Sequence, residues 1–142
     1  MQWFAIAGTV LVGMVVIVAA IGATLPREHT ASRSAQFARP PQDVWVGMTD
    51  ATSKSPVPVD VLESRPPHLL VTRVRETEKK FGGTWTIAIA PAAGGSTVTI
   101  TEEGWVANPI FRFISRFVIG HHATMDSLLK QVTKKLDASA AS

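Results

Sequence analysis

Cysteine is absent from the 142 residues. That absence excludes disulfides, thiol catalysis and cysteine-ligated metals, and it leaves the compartment open. Charge is scarce as well: Asp, Glu, Lys and Arg make up 18% of the chain, for a formal net charge of +3. With no dense basic cluster, nucleic acid is not an expected partner. The mild positive balance would suit a domain held near anionic headgroups. No internal repeat or low-complexity segment stands out. Gly82-Gly83 and Gly94-Gly95 read as hairpin turns, because neither matches a phosphate loop leading into a helix.

Charge is missing altogether between Trp3 and Leu25. As a helix this run spans roughly 35 Å, enough for a hydrocarbon core of about 30 Å. Trp3 suits one interface and Pro26-Arg27 ends the segment at the other. Residues 1–26 are therefore expected to form a single transmembrane anchor, with residues 27–142 as one folded domain. A cleavable signal peptide is the competing reading, favoured by the small residues of Ala20–Ala23. Against it stand the missing basic n-region and an apolar run longer than an ordinary h-region. Arg27, Arg33 and Arg39 follow the segment, and positive-inside then puts the domain in the cytoplasm, the alternative being an extracytoplasmic domain. Ala5, Thr9 and Gly13 stand four apart and offer a seam for a homo-oligomer.

Periodicity organises the rest. Trp85, Ile87 and Ile89 alternate with Thr and Ala, Ala92–Gly95 makes a turn, and Val98 and Ile100 alternate with Thr. This is an antiparallel hairpin with one apolar face. After Asn108-Pro109 the period changes: Ile110, Ile114, Phe117/Val118, His121, Met125, Leu128/Leu129, Val132 and Leu136 predict one long amphipathic helix. Upstream, a first strand is expected at about Thr30–Phe37. Pro40-Pro41 opens a short helix over Gln42–Thr49, with Val44, Trp45 and Met48 on its core side. Ala51–Pro56 reads as a polar turn. Val57–Leu62 is a strand that Pro56 and Pro58 confine to a sheet edge, and Leu69–Glu76 is the next strand. A sheet with one apolar face and a long helix to cover it is an α+β layer architecture.

In that order these segments resemble the START-like, Bet v 1-like superfamily, the polyketide cyclases, aromatases and lipid carriers often called SRPBCC. The residues that carry the resemblance are Thr30–Phe37, Pro41-x-x-Val44-Trp45 and Leu69–Arg73. With them go Phe81-Gly82-Gly83-Thr84-Trp85, Ser96–Glu103 and Asn108–Phe113 running into the last helix. The resemblance implies a helix-grip fold, a curved antiparallel sheet wrapped around the C-terminal helix with an apolar cavity between them. One departure is large. Members usually carry a second short helix and two more strands where only Ala51–Pro56 lies here. The strands lost would be those at the far edge, so a contiguous sheet of about five strands is expected. Any pocket should then be shallower, open, or completed by a membrane or partner.

Candidate chemistry is thin. His121 falls on the apolar stripe of the last helix and is the candidate for acid–base work. Trp85, Ile87, Trp105, Phe113, Phe117, His121 and Met125 are expected to line a ligand site. His122 and Asp126 stand four apart on a helix, but with no third ligand in view no metal is expected, and no cofactor either. Glu102 and Glu103 alternate across a strand, so at most one faces a cavity. Three functions remain open. The first is a membrane-tethered module that binds a small hydrophobic or lipid-like ligand. The others are a cyclase/aromatase- or hydrolase-like enzyme using His121, and a non-binding domain that interacts through its edge strand or transmembrane seam.

Overall fold

The computed structural model describes residues 1–75, 81–120 and 122–141. An N-terminal helix, α1 (Gln2–Thr24), leads into strand β1 (Glu28–Phe37) and helix α2 (Pro41–Ser53). Strands β2 (Val59–Arg65), β3 (Leu69–Val74), β4 (Phe81–Ala92) and β5 (Gly95–Val106) follow. The chain ends with a short helix α3 (Pro109–Ile114), a π-helical turn (Ser115–Ile119) and helix α4 (Ala123–Ala141). The five strands form one sheet in the order β1-β5-β4-β3-β2, every neighbouring pair antiparallel. This is the α+β, helix-grip-like sheet expected from the sequence, with β2 as the proline-flanked edge.

Alternation fixes which face is inner. On β4 and β5, Ile87, Ile89, Val98 and Ile100 are buried. They point to one side because successive strand residues do not. The opposite side of β5 carries Thr99 and Thr101, whose hydroxyls pair with Ser34 and Ser32 of β1 at 3.0 and 3.3 Å. Helix α4 lays Met125, Leu129, Val132 and Leu136 onto the core, a three-and-four spacing that keeps one helical face apolar. Helix α2 begins on Pro41, where a missing N–H costs nothing, and buries Val44 and Met48 with Trp45 packed beside them. Its Gly47 lets α4 approach: an added Cβ there would stand 3.2 Å from Val132. α2 also runs through Ser53, so half of the expected polar turn at Ala51–Pro56 is its last turn.

The long C-terminal helix is not continuous. Asn108 caps α3, its Oδ1 accepting from the backbone N–H of Ile110 at 2.8 Å and of Phe111 at 3.3 Å. The next turn widens, and the Gly120 N–H reaches back five residues to the Ser115 carbonyl at 2.9 Å. Gly120 then takes φ +81°, ψ 146°, a conformation open to glycine and strained for other residues. The chain changes direction there, so the stripe of Ile110–Val118 never joins that of Met125–Leu136. Phe117, Val118 and Ile119 end up exposed instead of covering the sheet. The grip is made by α4 alone.

Helix α1 is long and apolar enough to cross a membrane, and most of it stands clear of the domain. Its last turns pack on α3. Gly22 is buried there, and an added Cβ would sit 1.8 Å from the Pro109 carbonyl oxygen.

Candidate functional site

Between the inner face of the sheet and the first half of α4 lies an open cavity of about 940 Å³. Its wall is mainly apolar. β2 and β3 contribute Val59 and Val74, β4 contributes Phe81 and Trp85, and the α3 region adds Phe111, Ile114 and Ile119. Thr124, Ser127 and Leu128 bring α4 to its edge. A second cavity, about 760 Å³, adjoins it under the end of α2, and Thr52, Val57, Val59 and Thr72 border both. This is the side of the edge strand β2 and of the short α2–β2 link. The cavity is open there, one of the forms expected for it from the sequence.

Among the polar side chains of this wall, His29 and Glu102 meet Trp85 in one cluster. Glu102 continues the inward series Val98, Ile100 on β5, and Trp85 lies opposite it on β4. The Trp85 indole Nε1–H donates to Glu102 Oε2, while Glu102 Oε1 lies 2.8 Å from His29 Nε2. The side chains of His29 and Glu102 are 17% and 18% exposed, sheltered enough that a carboxylate needs such partners to remain there. His29 reaches it because β1 runs beside β5, with His29 paired to Gly104. A Cβ on Gly104 would stand 2.7 Å from the His29 ring, so the glycine is what leaves space for the imidazole. A carboxylate has about four lone-pair sites, which leaves Glu102 capacity for a ligand's hydroxyl. Near the junction of the two cavities, Thr52 Oγ1 is buried without a hydrogen-bond partner among the described residues.

The expected ligand-binding residues divide. Trp85 and Trp105 both border the cavity, Trp105 with its indole against Gly82, where an added Cβ would lie 2.7 Å from Nε1. Ile87 and Met125 are fully enclosed in the core beneath it. Phe113 and Phe117 pair with each other, ring centroids 5.0 Å apart and planes at 49°, on the α3 side of the break. Neither is among the lining residues; on α3 the residues that border the cavity are Phe111 and Ile114, three apart on one helical face. His121 lies outside the described residues. The Asp126 carboxylate is engaged by Arg33, Nε–Oδ1 2.9 Å and Nη2–Oδ2 3.2 Å, and among the described residues no group of three or more His, Asp or Glu side chains could hold a metal. His29 was missed because the first strand, expected at about Thr30–Phe37, begins at Glu28. The available signal was parity: Glu102 and Gly104 occupy inward positions of an otherwise apolar strand face.

No protein-family model matches this chain, and no curated protein matches it in sequence. Solved structures do match in fold. Protein MLL2253 from Mesorhizobium loti superposes with a TM-score of 0.62 at 13% identity, covering 78% of this chain and 98% of its own. The di-domain ARO/CYC StfQ of the steffimycin biosynthetic pathway gives 0.57 at 11% identity, over 81% of this chain and 53% of that one. CalU16 from Micromonospora echinospora gives 0.52 at 12% identity, over 81% and 84%. At these identities the likeness is one of fold, the fold that the sequence resemblance implied.

Proposed function

We propose that this chain is a membrane-anchored, SRPBCC-like domain, residues 27–142 on an anchor at residues 1–26, that binds a small hydrophobic or lipid-like molecule carrying one polar group. The observation behind this reading is the open cavity of about 940 Å³, whose mainly apolar wall holds the sheltered cluster His29–Glu102–Trp85. Apolar pockets with few convergent polar groups are the usual form of small-molecule sites. The apolar body of the ligand lies along Trp85, Val74 and Ile114, and its hydroxyl donates to a Glu102 carboxylate oxygen. Native mass spectrometry of the detergent-extracted full chain tests this. Recovery of a bound apolar molecule, diminished in Glu102→Ala, is the expected result. Repeated recovery of empty protein from native membranes would sink it.

One observation favours a second reading. A histidine 2.8 Å from a carboxylate inside an apolar cavity is within reach for proton transfer, and StfQ is described as an ARO/CYC. On that reading His29 and Glu102, in place of His121, are the acid–base residues of a cyclase/aromatase-like reaction. Turnover of a cyclisable polyketide-like substrate that is unaffected by His29→Gln would eliminate it.

A further inference from the structure

The segment between the sheet and α4 leaves its apolar side chains uncovered. Phe117, Val118 and Ile119 are 60%, 71% and 61% exposed, consecutive, and carried on the π turn where the helix swings off the domain. An exposed apolar patch of this kind marks an interaction surface. Its position identifies the partner. α3, which feeds directly into the π turn, packs on the last turns of α1. The Gly22–Pro109 approach allows no side chain between them, and Arg112 Nη1 donates to the Leu25 carbonyl at 2.8 Å. Val18 to Thr24 spans only about 9 Å of helix, so α3 lies at the level where α1 would leave the hydrocarbon. From Ala107 to Gly120 the charges are Arg112 and Arg116, with no acidic residue, the pattern of a segment that lies in an interface.

Resting on the anchored reading of α1, we infer that Pro109–Ile119 lies embedded in the bilayer surface as a second, monotopic membrane contact. Phe111, Ile114 and Ile119 are at once part of this segment and part of the cavity wall. The lipid leaflet therefore covers the cavity's exposed apolar flank, and the apolar ligand enters laterally from the membrane. Gly120 returns the chain to the domain at the point where the embedded segment ends.

The absence of cysteine makes the test direct. Single substitutions Val118→Cys, Val10→Cys on α1 and Lys134→Cys on α4 are labelled with an environment-sensitive fluorophore in the full chain. The protein is held in phosphatidylcholine/phosphatidylglycerol nanodiscs with and without doxyl-lipid quencher. Val118 makes no core contact, so its replacement leaves folding intact. Lipid quenching at Val118 approaching that at Val10, and at least roughly threefold above that at Lys134, is the expected result for interfacial burial. Quenching at Val10 with a water-like signal at Val118 overturns the inference and leaves the anchor standing. A Val118 probe shielded from water but untouched by lipid quencher shows a protein cover, such as a second copy, and overturns it too. No quenching at Val10 removes the anchored reading, and the inference with it.

Discussion

Glu102 is held between two donors of different character, and its replacement separates their roles. In Glu102→Ala the Trp85 indole N–H loses its acceptor inside a largely apolar wall, which costs about 1–3 kcal/mol. A lowered unfolding midpoint, together with a red-shifted Trp emission as water reaches the indole, is the expected outcome of denaturant titration. Gly104→Ala attacks the same cluster without touching a polar atom. Its Cβ would fall 2.7 Å from the His29 ring and 3.3 Å from the Gly82 carbonyl oxygen, so the ring must move off the carboxylate. Overpacking of this kind costs about 1–3 kcal/mol. If ligand binding depends on the cluster, Gly104→Ala weakens it even though every polar residue remains. Ligand titration of the folded variant in detergent checks that, and unchanged affinity would mean that His29 has no part in binding.

Elements are tied by contacts that sequence periodicity does not carry. The inner faces of β4 and β5, the α2 core positions and the proline-marked edge strand were legible, since burial imposes period 2 or 3.6 on the residues themselves. The break at Gly120 was not. Ile110–Leu136 keeps helical spacing across it, and a single glycine inside such a pattern is compatible with an unbroken helix. His29 escaped for a related reason: a polar inward residue on β1 becomes visible only once β1 is paired with β5. Gly120→Ala tests the break. Nothing lies within 4 Å of an added Cβ, so the expected loss of about 1–3 kcal/mol in the thermal unfolding free energy comes from the backbone conformation alone. An unchanged melting curve would mean that the turn relaxes. Lys135 of α4 and Lys54, which follows the last turn of α2, both reach Asp50 of α2. The hydrogen bond from Lys135, then that from Lys54, holds the Asp50 carboxyl below its ordinary value of 3.8. A lowered folded value makes this contribution complete above 3.8 and lost as pH falls through the lower value. Asp50 is partly exposed, so solvent screens the pair, and Asp50→Asn is expected to lower the melting temperature only slightly at neutral pH, with the difference from the parent chain vanishing as the pH falls below 3.8.

At the scale of the whole molecule, the domain's stability and its solubility rest on different parts of the chain. Among the described residues, none of the buried apolar core residues, from Ala31 to Leu136, belongs to α1, so this core is packed without it. What α1 supplies is cover for α3, through Gly22 against Pro109 and the Leu25 carbonyl that takes Arg112. Removing residues 1–26 is therefore expected to leave the sheet and its circular dichroism intact while exposing the Pro109 face beside the already bare Phe117–Ile119. That joins two apolar surfaces into one patch, which in water drives self-association. Size-exclusion chromatography with light scattering should find the truncated domain oligomeric without detergent and monomeric when a mild detergent is added. A truncated domain that stays monomeric in plain buffer would show that α3 repacks onto the sheet once α1 is gone, closing the cavity with its own wall. The same measurement thus tells whether the openness of the site belongs to the domain or is held in place by the N-terminal helix.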